Sequence, residues 1–114
     1  MKPAIFHAIR NTTPEAVIQK QILAALPLLG VHAWRTQSGT RGGGRMHLAP
    51  TGTPDICGYR LSDARAVFIE VKRQGGKIRP EQLAFIERAK AAGALAGFAT
   101  SVSEAMAIIQ GSVI

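Results

Sequence analysis

What the chain has little of limits its chemistry first. Cysteine occurs once in 114 residues, at Cys57. Neither an internal disulfide nor a cysteine metal cluster can form, and in "DICGY" the residue reads as a small core hydrophobe of a reducing compartment. Long apolar runs are missing too. The longest, "ILAALPLLGV", is about half a membrane span and contains Pro27. The opening "MKPAIFHAIRNTT" breaks its apolar residues with His7 and Arg10, which makes a poor signal peptide. A soluble, cytoplasmic protein with no membrane partner is expected. Acid is scarce, with 7 Asp and Glu against 14 Lys and Arg, a net charge of +7. That surplus points to a polyanionic partner, most often nucleic acid. His7, His32 and His47 lack the spacing of metal ligands.

What is present suits a folded protein. Hydrophobic residues make up 46% of the chain and mean hydropathy is +0.11, a length and composition that fit one domain over 1–114. The punctuation then divides it. Residues 14–29 read as a helix, with Thr13 as N-cap, Pro14 in the first helical position, Gly30 just past the end, and Pro27 set to end the last turn early. Ile18, Ile22, Ala25 and Leu29 form its apolar stripe, and Glu15 lies one turn before Ile18 on that stripe. Residues 1–13 are an N-terminal segment. Residues 31–37 alternate as a strand, 38–54 are a long Gly-rich loop, 55–61 and 66–72 are strands joined by a tight turn, and 80–92 are a helix opened by Pro80 and ended by Gly93. In that helix Leu83 and Ile86 make the apolar face, helped by Ala89 or Phe85. A strand over 94–100 and a helix over 101–110 follow, capped by Ser101 or Ser103. The order α-β-β-β-α-β-α implies an α/β fold, a mixed sheet flanked by helices.

One strand poses a problem. "AVFIEVKRQGG" is apolar enough for a buried strand, yet Glu70 sits near its centre and Lys72 two residues on. Alternation puts Val67, Ile69 and Val71 on one face and Phe68, Glu70 and Lys72 on the other. If 55–61 and 66–72 pair as a hairpin, Asp55 and Glu70 both lie at the end far from the turn, as a cross-strand carboxylate pair beside a lysine. Two such carboxylates repel unless a cation bridges them. A donor set of hard oxygens favours Mg²⁺ or Mn²⁺ over zinc, and such a metal activates water against a phosphate. Each residue also has a plainer reading. Asp55 alone suits a turn after Pro54, and Glu70 with Lys72 suits a solvated strand face. Glu15 suits a first-turn acid favoured by the helix dipole, and Gln82 suits a cap partner.

"GTPDI" and, after 14 intervening residues between Asp55 and Glu70, "FIEVK" resemble the PD-(D/E)XK nuclease signature. Pro54 and Asp55 match its PD, and Glu70, Val71 and Lys72 match its ExK. The following "GGKIRPEQLAFIERAKAAGA" is similar to the VRR-NUC branch, the virus-type replication-repair nucleases, in which a helix starting near a glutamine follows the lysine. The resemblance runs from about Glu15 to Ser103. It implies a restriction-endonuclease-like core and a Mg²⁺- or Mn²⁺-dependent endodeoxyribonuclease. Asp55, Glu70, the carbonyl of Val71 and, directly or through water, Glu15 would hold metal. Lys72 would assist the attacking water and Gln82 would orient water or phosphate. Stand-alone members, of phage and bacterial type, are small homodimers acting on branched DNA such as four-way junctions. Less selective cleavage, or a degenerate binding module, are the alternatives.

The basic residues outside the motif are candidates for DNA contact. Arg41 and Arg45 flank the glycines of "TRGGGR", where no Lys-Ser/Thr follows, so no nucleotide cofactor is expected. These two, with Arg73, Lys77 and Arg79 after the lysine motif, would grip a DNA backbone; the plain alternative for Arg41 and Arg45 is a flexible solvated loop. Trp34 and Tyr59, both in strands, are expected in the core or an interface rather than as base-stacking platforms.

Overall fold

The computed structural model describes residues 13–36 and 50–111. Helix α1, Glu15–Ala25, runs on as a 3₁₀ turn, Leu26–Leu29, into β1, Val31–Arg35. Strands β2, Ile56–Arg60, and β3, Ala66–Val71, follow, then α2, Pro80–Ala91, β4, Leu95–Ala99, and α3, Val102–Gln110. The sheet order is β1-β2-β3-β4. The first three strands are antiparallel, and β4 joins β3 in parallel after the α2 crossover. This is the mixed sheet with flanking helices that the element order implies. No helix among the described residues is long and apolar enough to cross a membrane.

Local chemistry accounts for the joints. The N-cap of α1 is Pro14, not Thr13: its backbone is extended (φ −63°, ψ 148°) and its carbonyl accepts from the Val17 and Ile18 N–H groups at 3.1 and 3.2 Å. Pro27 lacks the N–H that would continue the α ladder, so the chain tightens to 3₁₀. Gly30 then reverses it at φ 78°, a left-handed conformation that costs glycine little. Of the two serines, Ser101 caps α3, its hydroxyl accepting from the Glu104 N–H at 3.1 Å. The β2–β3 turn is tied down by Arg60, whose guanidinium pairs with Asp63 at 2.6 Å and also donates to the Ile109 carbonyl of α3 at 2.6 Å.

The two sheet faces differ. On one, Val67, Ile69 and Val71 are fully buried with Ile18, Ile22 and Leu26 of α1 and its 3₁₀ turn, and Ile108 and Ile109 of α3. This is the main core. On the other, α2 packs on β3 and β4, with Phe85 edge-on to Phe68 at 5.2 Å between ring centroids. Phe85 and Ile86 therefore carry the inward side of α2. Leu83, expected on it, is 44% exposed, because the helix turns its N-terminal polar end, not Leu83, onto Glu70. Cys57 is also not a core residue: it alternates out of the Ile56 and Gly58 face and is half-buried.

Candidate active site

The ladder registers bring the acids together. Ile56 pairs with Ile69, so the next row sets Asp55 opposite Glu70 across the mouth of the hairpin. Beyond the formal end of β1 the ladder continues as well, with the Thr36 N–H donating to the Asp55 carbonyl at 2.8 Å. The Thr36 hydroxyl donates to the Pro54 carbonyl at 2.7 Å. Gly52, at φ 86°, passes against the backbone of Glu81, where any Cβ would overlap it. Thr36 and Gly52 thus fix the approach to Asp55 from both sides. Neither stands out in the sequence, since a threonine after a strand and a glycine in a Gly-rich loop are ordinary there.

Each candidate side chain has a definite partner. Asp55 Oδ2 accepts from the Val71 N–H at 3.0 Å. Glu70, 5% exposed, accepts from Gln82 Nε2 at 2.9 Å. Lys72, 9% exposed, holds Nζ 3.8 Å from Glu70 Oε2, beyond the ~2.7–2.9 Å of a charge-assisted hydrogen bond. Gln82 fills both roles open to it. Its Oε1 accepts from the Arg79 N–H at 2.9 Å, closing one side of a capping box, and the guanidinium of Arg79 has no acceptor to close the other. With Oε1 committed to the cap, the amide can present only its NH₂ to Glu70.

The charges do not balance. Two carboxylates face one ammonium in a site largely shut from water. Burial, then the charge of Asp55, push Glu70 up to about 7, with Lys72 only partly offsetting them. Burial also raises Asp55, against the lowering effect of the Val71 N–H, while the charge of Glu15 adds to the rise. A low-dielectric pair with one uncompensated negative charge and only oxygen donors fits a hard divalent cation.

The remaining candidates take other places. Glu15 is exposed at the rim, where its Oε2 accepts from the Arg73 N–H at 3.4 Å. Among the described residues no three His, Cys, Asp or Glu side chains form a ready cage, so Glu15 is not drawn into a three-acid cluster. Arg73, Lys77 and Arg79 are exposed along the segment between β3 and α2. Arg41 and Arg45 lie outside the described residues. Trp34 and Tyr59, expected in a core or interface, stand exposed on the same sheet face as the acids.

Comparison with known proteins agrees with this fold. A family model described as "VRR-NUC domain" matches residues 47–103. A solved structure titled "VRR_NUC domain" is similar over 87% of this chain and 97% of its own, with a TM-score of 0.62 and 24% sequence identity. Among curated proteins none matches.

Proposed function

The chain belongs to the VRR-NUC family of nuclease domains, and from that premise we propose that it is a Mg²⁺- or Mn²⁺-dependent endodeoxyribonuclease acting by preference on branched DNA such as four-way junctions. The observation that carries the reading is the facing of Asp55 and Glu70 across the hairpin mouth, with Lys72 beside them and Gln82 clamping Glu70. Asp55 and Glu70 would hold the metal, with the Val71 carbonyl and, through water, Glu15 at the rim. When bound, it supplies a Lewis acid that polarises the phosphate and lowers the pKa of the attacking water. The protein's own groups do the rest. The Val71 N–H holds one oxygen of Asp55 in place, and Gln82 fixes the rotamer of Glu70. The Lys72 ammonium orients the water and neutralises charge gathering on the phosphate. Arg73, Lys77 and Arg79, with Arg41 and Arg45, grip the DNA backbone.

Two cuts on opposed strands of a junction call for two sites. The reading therefore includes a twofold homodimer. Leu28 and Leu61 supply exposed apolar surface for it at the end of the sheet away from Asp55. A pure binding module is disfavoured, since buried acids facing phosphates give a binder nothing.

The test incubates the protein with linear duplex, single-strand, flap and four-way DNA, with Mg²⁺, Mn²⁺ or EDTA. Cleavage of branched substrates that stops in EDTA is expected, with light scattering giving a dimer. Undiminished cutting in EDTA overturns the mechanism. A monomer that cuts linear duplex as readily as junctions leaves an unselective nuclease.

A further inference from the structure

Helix α2 covers only part of the face that bears the acids. It packs on β3 and β4, and among the described residues nothing packs over β1 and β2 on that side. There Trp34 is 48% exposed and Tyr59 40%. The ring of His32 lies between them, its centroid 5.5 Å from Trp34 and 5.3 Å from Tyr59. These rings bury no core, and they make a continuous aromatic surface on a chain of net charge +7.

The position of this surface says what it receives. Trp34 pairs with Cys57, so Asp55 is its diagonal neighbour on the same face, roughly 7–8 Å away. Glu70 and Lys72 are buried beneath α2, whereas Trp34 beside Asp55 stands open, which leaves the β1–β2 side as a way in for a phosphate. A second copy of the chain seated on these rings would close that approach. A strand of DNA would use it.

Resting on the nuclease reading above, we propose that His32, Trp34 and Tyr59 form a stacking platform for an unpaired nucleobase beside the cleaved phosphate. The substrate class is then DNA with an unpaired nucleotide at the cut, as at a flap or an opened branch point. In continuous duplex the bases are stacked on one another and offer no free face. The aromatic faces are indifferent to which base arrives, so the platform reads unpairedness and not sequence.

Trp34 is the sole tryptophan, which makes its fluorescence a reporter of this one position. The full chain is titrated in EDTA with oligothymidylate, with a continuous duplex hairpin, and with a fully abasic strand of equal length. Oligothymidylate should quench Trp34, and the duplex and the abasic strand should bind with little quenching. By anisotropy, Trp34→Ala should bind oligothymidylate ~10-fold more weakly, and Trp34→Phe should recover most of the loss, both melting as the parent does. Equal quenching by the abasic strand, or unweakened binding by Trp34→Ala, overturns the platform. So does a fluorescence change with protein concentration alone, which would mean that a second copy covers the face. If those failures accompany normal metal-dependent cleavage, the platform falls and the nuclease reading stands; a chain that neither binds nor cuts any DNA overturns both.

Discussion

Under α2, the β3–β4 half of one sheet face holds a buried glutamate and lysine with a half-buried glutamine amide against them. Two strands away on the same face, the β1–β2 half carries a histidine, a tryptophan and a tyrosine that touch chiefly one another. The strands are of one sheet and the alternation is the same, so the difference comes from the cover. Where α2 lies, low dielectric strengthens every charge and lifts the carboxyls above their usual range. Where it does not, rings can stay wet at little cost and remain within reach of a ligand. The proposed chemistry uses the closed half and the proposed platform the open one.

Breaking the closed half should have the largest effect. Lys72→Ala removes the only cation beside Glu70 in the pair described and should slow cleavage of bound DNA by ~10²–10⁴-fold in single-turnover assays. Metal-free DNA binding should stay close to the parent's, since other cations supply most of the basic surface. Normal cutting by this variant would place the chemistry elsewhere.

A smaller loss should follow from unlocking the cover while keeping the acids. Gln82→Ala deletes both the cap to Arg79 and the bond to Glu70, with an expected loss of ~10–100-fold in rate or metal affinity. Gln82→Glu keeps the cap acceptor but sets a third carboxylate against Glu70, and should be the worse of the two. Calorimetric Mn²⁺ titration beside cleavage rates separates the variants. If Gln82→Glu proves the milder, the cap and not the clamp is what matters.

The smallest effect is one of stability, and it distinguishes the halves by pH. Because the folded state raises Glu70 from 4.5 to about 7, it holds that proton more tightly than the unfolded chain does. Below 4.5 both states are protonated and there is no penalty. Between 4.5 and about 7 the unfolded chain releases the proton while the folded state still holds it, so metal-free stability falls as pH rises and levels off above about 7. Glu70→Gln should remove the slope and raise the metal-free melting temperature at pH 8 by a few degrees, while abolishing cleavage. Mn²⁺ should restore the parent at pH 8 and do little at pH 5. Substitutions of Tyr59, exposed on the open half, should leave the slope untouched.

The sequence made one half more legible than the other. Period-two alternation and a tight turn were enough to set Asp55 against Glu70, because register in a hairpin follows from the turn. Alternation says which residues share a face, but not which part of that face a later helix will cover. For that reason Trp34 and Tyr59 read as core or interface, and Cys57 as core. The orientation of α2 was hidden for a related reason: Leu83, Phe85 and Ile86 are all apolar, and only the packing of the helix on the sheet sets Phe85 against Phe68 and buries Ile86. Cap and clamp read as alternatives for Gln82, although an amide with an acceptor at one end and donors at the other can serve both.

The order of strands across the sheet is their order along the chain, and this has a bearing on how the protein is made. A growing chain releases β1, β2 and β3 in turn, each able to pair with the strand just completed. Asp55 and Glu70 can therefore meet while residue 82 is still inside the ribosome, in contact with solvent that screens their repulsion. Only when α2 and β4 emerge and dock together is the pair dehydrated, by the last elements of the face to be synthesised. An interrupted translation product ending at the hairpin holds both acids yet lacks both the clamp from Gln82 and the cover of α2.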